Sequence, residues 1–297
     1  MEIRVLKYFL AVAREQSFSK AAESLYLSQP TLSRQLKDLE EELGKPLFIR
    51  NTRSVTLTEE GMLLRKRAEE IIELTEMAER EVRQSDENIS GDIYIGMGET
   101  DKVRFIAQTA RKLQQTYPDI CYHIFSGDGE DVAERLDRGL IDFGILFEPA
   151  DISKYESIAI PTGDRWGVLM RKDSPLADKE SISAKDLKNE PLIMSRQQNK
   201  NSMLLKWFGG EMLNIVAEYN LVYNASILVD EGIGYALSLD KLINVSGESS
   251  LCFRPLAPSL EAKMHFVWKK YPIFTKAAEK FLERFKAELS SDFNTHQ

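Results

Sequence analysis

The chain has 297 residues, 43% of them hydrophobic and 29% charged, with a formal net charge of −8. That length exceeds one compact core and calls for two or three domains, while the composition is that of an ordinary globular protein. No run approaches the ~18 consecutive apolar residues of a membrane-spanning helix, and the charged, amphipathic N-terminus carries no apolar signal core, so a cytoplasmic protein with no membrane partner is expected.

The charge is uneven. Residues 1–57 carry nine Lys and Arg against seven Asp and Glu, residues 58–90 five against ten, and the remainder 25 against 30. Phosphate binding depends on local basic groups rather than whole-chain charge, so only the first segment is a candidate nucleic-acid binder. Along it, Ile3, Leu6, Phe9, Leu10 and Ala13 share one helical face. A second helix is predicted near Ser19, with Phe18 as a staple and Ala21, Ala22 and Leu25 buried. A third follows the Ser28 cap, with Pro30 in its first turn and Leu32, Leu36, Leu39 and Leu43 as its buried stripe. Its opposite face presents Pro30, Ser33, Arg34 and Lys37, flanked by Gln29 and Thr31.

Two short helices around a small turn, the second exposing Gln, Thr, Ser, Arg and Lys, read as a helix-turn-helix. Gln can pair with adenine, Arg can grip guanine, and hydroxyls such as those of Ser28 and Thr31 bond phosphates. The alternative is a small three-helix unit with a solvated polar face. Residues 46–50 and 55–57 are apolar strands around a polar turn, a hairpin wing with Arg50 and Arg53 near its tip; solvated arginines are the alternative there. Thr58 then caps a long helix, with Leu64, Ala68, Ile71, Thr75, Ala78 and Val82 on a heptad seam for dimerisation. That seam can instead pack on the chain's own first helix.

Phe18-Ser19-Lys20-Ala21-Ala22, Ser28-Gln29-Pro30-Thr31-Leu32-Ser33-Arg34, Leu43-Gly44, Leu47-Phe48-Ile49-Arg50 and Leu57-Thr58-Glu59-Glu60-Gly61 together resemble the reader domain of LysR-type transcriptional regulators. The resemblance covers about sixty residues densely, and length and domain order agree over the whole chain. It implies an N-terminal all-α winged helix-turn-helix (1–57), a linker and dimerisation helix (58–90), and a C-terminal α/β two-lobed, periplasmic-binding-protein-like effector domain (91–297). It further implies a homodimer or tetramer on double-stranded DNA with a two-fold related operator, a small-molecule effector, and RNA polymerase as a further candidate partner.

The C-terminal pattern alternates strands and helices, arguing for right-handed crossovers and a largely parallel sheet. Strands are expected at 92–97, 120–125 and 141–146, with helices from about 100 and through Val132 and Leu136. A second lobe is expected over about 163–266, with strands at 166–170 and 192–194 and a helix through Leu228 and Val229. The last strand, 264–268, and a helix at about 274–289 return to the first lobe, whose bounds are set at about 91–162 and 267–297. Ligands of open α/β sheets sit beyond strand C-termini. That rule selects Gly98, Glu99, Thr100, Asp128, Phe147, Ser195, Arg196, Asn224 and Ser226 as the effector site, each of which could equally be an ordinary cap or loop residue. The cleft's many acids disfavour an anionic effector unless Arg196, Lys102 or Arg104 turns inward, so an uncharged or cationic effector is expected, with solvated acidic loop ends as an equal alternative.

Enzyme chemistry finds little support. His123 and His265 fall in strands, His296 in the tail, and there is no Walker loop, His/Glu metal motif or nucleophile elbow. Cys121 and Cys252 make neither a disulfide framework nor a zinc site, and are read as buried thiols, with a redox switch as the alternative. No cofactor, metal or catalytic residue is expected. A solute-binding receptor or a metabolic enzyme built on the two-lobed domain is the competing reading.

Overall fold

The computed structural model describes residues 1–51, 54–83, 89–196, 203–210 and 212–295. The chain divides into two compact units, Met1–Gln84 and Ser85–Gln297.

The first unit runs α1 (Ile3–Glu15), α2 (Phe18–Ser24), α3 (Gln29–Leu43), β1 (Phe48–Arg50), β2 (Val55–Leu57) and α4 (Glu59–Arg83). Leu6, Phe9, Val12, Ala21, Ala22, Leu32, Leu36 and Leu39 fill its core. The α1 stripe is rotated from the expected one: Val5 and Val12 are buried, whereas Ile3 is exposed and Leu10 and Ala13 are half-buried. The reason is that α1 packs on α2, α3 and α4 rather than on one side. The α2 cap is Ser17, whose hydroxyl accepts from the Lys20 N–H, and Phe18 lies inside the helix. The Ser28 hydroxyl caps α3 by accepting from the Thr31 N–H at 3.3 Å, and Gly44 at φ 66° ends it. Leu43, expected in the buried stripe, is exposed at that C-terminus.

Glycine at position 61 is a packing requirement. A Cβ there would lie 2.2 Å from the Leu47 carbonyl oxygen. The Thr58 hydroxyl accepts from the Gly61 N–H at 2.9 Å and donates to the Pro46 carbonyl at 2.8 Å, so one side chain caps α4 and ties it to the strand leading into the wing.

The linker seam is divided. Leu64, Ala68 and Ile71 pack into the first unit's own core, Thr75 bonds its hydroxyl back to the Ile71 carbonyl, and Ala78 and Val82 are exposed. The chain's own first helix therefore takes the first half of the seam. Leu63 and Leu74 are exposed on α4 as well.

The second unit begins with β3 (Gly91–Met97), α5 (Val103–Thr116), β4 (Ile120–Ser126), α6 (Gly129–Arg138), β5 (Phe143–Phe147) and β6 (Tyr155–Ala159). It continues with β7 (Asp164–Arg171), β8 (Leu192–Ser195), α7 (Met203–Trp207), β9 (Ile215–Tyr219), α8 (Val222–Asp230) and β10 (Tyr235–Leu239). β11 (Leu251–Pro255), β12 (Glu261–Ala262), β13 (Met264–Lys269) and α9 (Lys276–Thr295) complete it.

Two sheets define two lobes. The first has the order β4-β3-β5-β13-β6, and the second β11-β7-β10-β8-β9 with β12 also on β7. Both are mixed rather than largely parallel. β13 runs antiparallel to β5 and β6, and β7 antiparallel to β10, β11 and β12. These are the strands by which the chain enters a lobe from the other one, so they arrive without a βαβ crossover. Because β13 starts at Met264, the return to the first lobe falls a few residues before the expected 266/267 boundary.

The first lobe buries an aromatic stack under α5 and α9, with Phe266 and Phe285 centroids 4.3 Å apart and Phe143 and Phe266 5.1 Å apart. Val132 and Leu136 of α6 seal the sheet's other face. No helix among the described residues is long and apolar enough to cross a membrane.

Candidate nucleic-acid interface and effector cleft

Along α3, Gln29, Pro30, Thr31, Arg34 and Lys37 are exposed, as is its cap Ser28, and Ser33 is half-buried. This polar face is available because the leucine stripe behind it is fully used in the core. The Ser28 and Thr31 hydroxyls are bonded to each other at 2.7 Å, and Lys37 pairs with Glu41 one turn on at 3.2 Å. Tyr26 occupies the turn between α2 and α3 at φ 56° and is 97% exposed.

The wing differs from its expected form. Arg50 ends β1, and its guanidinium turns back over the Phe18 ring, 4.7 Å from the centroid, and toward Glu40 at 3.4 Å. It braces the wing against the body instead of standing free at the tip, because an aromatic face and a carboxylate are both within its reach. Arg53 lies outside the described residues. The organising residue is Glu40, which no local signal singled out. Its Oε1 accepts from the N–H groups of Leu47 and Phe48 at 2.7 and 3.2 Å, fastening the path into the wing to α3. The hint in the sequence was an acid on the half-buried side of a leucine stripe.

In the second unit the lobes enclose a cleft of about 980 Å³. Gly98, Glu99, Asp128, Phe147, Ser195 and Arg196 line it. Phe147 packs against the cores of both lobes, and a Cβ on Gly98 would lie 3.0 Å from its ring, so glycine makes room for this shared aromatic. Three of the selected residues do not line the cleft. Thr100 is buried and donates its hydroxyl to Asp164, and the Ser226 hydroxyl donates to the Tyr223 carbonyl at 2.7 Å. Asn224 is exposed on α8. Just before α8 runs β9, an edge strand with exposed Ile215 and Val216 that shows no buried alternation to mark it in the sequence. The true strand end is Tyr219, and Glu218, Tyr219 and Asn220 line the cleft together with Trp166 of β7.

Two polar straps join the lobes. Glu99 accepts from the Val222 N–H at the start of α8. Burial pushes the Glu99 carboxyl above its ordinary range, against the lowering effect of that N–H. Arg196 of the second lobe reaches Asp128 at 2.8 Å and Asp131 at 3.0 Å on the first. Burial works to raise the Asp128 carboxyl, but the Asp131 N–H and the Arg196 guanidinium outweigh it and hold it low. Asp128 also closes a capping box with Asp131 at the start of α6.

The electrostatic balance of the cleft follows from these pairs. Among the described residues seven acids line it, Glu99, Asp128, Glu130, Asp131, Glu148, Asp151 and Glu218, against Lys154 and Arg196. Lys154 donates to Asp137, and Arg196 is held by its two aspartates. Lys102 pairs with Asp164 at 3.4 Å, and Arg104 with Asp101 at 2.7 Å. Lys102, Arg104 and Arg196, the cations expected to turn inward, each already have a carboxylate.

Residues 3–62 match the family described as bacterial regulatory helix-turn-helix protein, lysR family, and residues 86–290 match the LysR substrate binding domain. The uncharacterised HTH-type transcriptional regulator YwbI of Bacillus subtilis (strain 168) is 30% identical over 293 residues, 97% of each chain. The Hca operon transcriptional activator HcaR of Escherichia coli (strain K12) is 30% identical over 281 residues, 91% of this chain and 92% of that one. The fold is that of full-length CbnR solved with its target DNA, at TM-score 0.77 and 20% identity, over 97% of this chain and 99% of that one. A helix-turn-helix reader followed by a two-lobed α/β sensor is thus found by residue pattern, fold and relatives alike, and the chain belongs to the LysR family of DNA-binding transcriptional regulators with an effector-binding domain.

Proposed function

We propose that this regulator senses a small uncharged or cationic molecule between its lobes and reads a two-fold related operator as a homodimer or tetramer. The observation that supports the effector class is that, among the described residues, seven carboxylates of the cleft face two cations that are already paired. An anionic effector would have to displace Asp128 and Asp131 from Arg196 before gaining a partner. A cation gains the Glu99 carboxylate in a partly desolvated site, where its charge is worth more than in water.

On the DNA side, Gln29, Pro30, Thr31, Ser33, Arg34 and Lys37 form the reading face, Ser28 and Tyr26 reach phosphates, and Arg50 supports the wing. Leu63, Leu74, Ala78 and Val82 on α4 supply the apolar surface for a second copy. An effector that prefers one arrangement of the lobes over another shifts the regulator's state by that difference in affinity.

A thermal-shift screen of the full chain against matched amines, neutral polar compounds and carboxylates tests the effector class. Stabilisation by amines or neutral compounds, with amine binding weakened at least about tenfold by Glu99→Gln, is expected. Stabilisation by carboxylates alone overturns it. For the reading face, Arg34→Ala is expected to cost about 1–3 kcal/mol of operator affinity, measured by titration with labelled DNA from upstream of the gene; unchanged affinity removes Arg34 from that face.

A further inference from the structure

The register of β3 and β4 gathers residues that are far apart in sequence. Asp92 lies opposite Cys121, and Tyr94 opposite His123, on these adjacent parallel strands. Cys121 and His123 are two residues apart and so share one face of the sheet. Between them, Tyr122 points the other way, with its ring 6.0 Å from Phe281 and its hydroxyl on the Ala110 carbonyl. Cys121 and His123 are therefore turned away from α5 and α9, and both are exposed. His123 Nε2 lies 2.6 Å from Asp92 Oδ1, and its ring stacks on Tyr94 at 4.5 Å and 14°. The Cys121 sulfur, a His123 ring nitrogen and an Asp92 carboxylate oxygen all fall within 4.8 Å of one another.

We propose that Asp92, Cys121 and His123 form a three-ligand site for a divalent cation of the zinc type. Thiolate, imidazole and carboxylate are the donor set such an ion takes. Tetrahedral coordination with metal–ligand bonds of about 2.0–2.3 Å places donors about 3.3–3.7 Å apart. The three donors already lie within 4.8 Å of one another, close to that spacing, and on binding the His123–Asp92 hydrogen bond is exchanged for two metal bonds. Their backbones are already fixed by the strand ladder, and the Tyr94 ring holds the imidazole plane. β4 is the sheet's edge strand, so the fourth coordination position opens to water.

The site is distinct from the effector cleft. Asp92 and Cys121 sit near the N-terminal ends of strands whose C-terminal ends, at Gly98 and Gly127, line the cleft, which is about 20 Å away along the sheet. Cysteine count argues against a zinc site because two thiols cannot make one alone; register supplies the histidine and the carboxylate.

The test is titration of the tag-free full chain with Co2+, followed by competition with Zn2+. One equivalent of Co2+ is expected to give a thiolate-to-cobalt charge-transfer band in the near ultraviolet, displaced by Zn2+. Cys121→Ser should abolish the band and Cys252→Ser should keep it, since Cys252 is a buried thiol of the other lobe. His123→Gln and Asp92→Asn should each weaken Zn2+ binding at least about tenfold, with unchanged far-UV ellipticity showing that the variants fold. No band in the parent chain, a band that survives Cys121→Ser, or equal Zn2+ binding by the parent and the Cys121→Ser, His123→Gln double variant overturns the proposal.

Discussion

Removing the Glu40 carboxylate should loosen the wing out of proportion to a half-buried surface acid. Its Oε1 accepts two backbone N–H groups, Leu47 at 2.7 Å and Phe48 at 3.2 Å, and Oε2 faces Arg50 at 3.4 Å. Leu47 and Phe48 are 1% and 6% exposed, so Glu40→Ala leaves two donors in a poorly hydrated place. Each unsatisfied donor costs about 1–3 kcal/mol. The Glu40 side chain is 15% exposed, so water replaces part of the loss, and a net cost of about 2–4 kcal/mol follows. The Arg50 pair adds little, because exposed ion pairs contribute at most about 1 kcal/mol. Glu40→Gln keeps an acceptor oxygen and should lose only about 1 kcal/mol. Thermal unfolding of the full chain resolves this, because Trp166, Trp207 and Trp268 all lie in the second unit. Far-UV ellipticity should therefore lose an early phase with the melting of the first unit, while tryptophan fluorescence holds its midpoint. A shift of about 10–20 °C in the ellipticity phase is expected for Glu40→Ala. A shift under about 2 °C, or equal losses in the Ala and Gln variants, would refute the two-donor account.

Gly61→Ala should destabilise the first unit by about 1–3 kcal/mol, although alanine is the better helix former, because the new Cβ would meet the Leu47 carbonyl oxygen at 2.2 Å; an unchanged or higher melting temperature would contradict this. The Lys179 ammonium, then the Ser183 N–H and hydroxyl, hold the Asp186 carboxyl down to about 2 from an ordinary 3.8. A depressed acid contributes stability that is complete above its unfolded value and lost as pH falls toward its folded one. The parent should therefore lose stability between about 4 and 2 relative to Asp186→Asn, and parallel pH–stability curves for the two would dispose of that linkage. Leu74→Glu combined with Val82→Glu, at exposed positions of α4, should lower the sedimenting mass of the full chain and weaken operator binding while the far-UV spectrum stays unchanged. An unaltered mass would place the self-association surface elsewhere.

The reader domain was legible in the sequence because its signals are local. Leucines at 32, 36 and 39 mark the buried face of α3, Ser28 marks its start, and the polar face follows by rotation. Thr58 and Gly61 mark the start of α4 in the same way. Strand ends beside turns located much of the cleft, including Glu99, Asp128 and Arg196. What failed depended on partners distant along the chain. Thr100 looks like a free loop hydroxyl until Asp164 arrives from the start of β7 to accept its hydrogen bond. Asn224 lies beyond the cleft because the strand that feeds it, the exposed edge strand β9, ends earlier, at Tyr219, and carries no alternation that marks that end. Arg50 reads as a groove contact until Phe18 and Glu40 surround its guanidinium. Periodicity and capping are properties of a few consecutive residues, so the sequence alone determined the reader's helices, the polar face of α3 and the order of the domains, whereas the buried faces of α1 and α4 depended on what packs against them. Which charge meets which, and which side chains share a cleft or a strand face, was decided only when the sheets closed and set the register between distant segments.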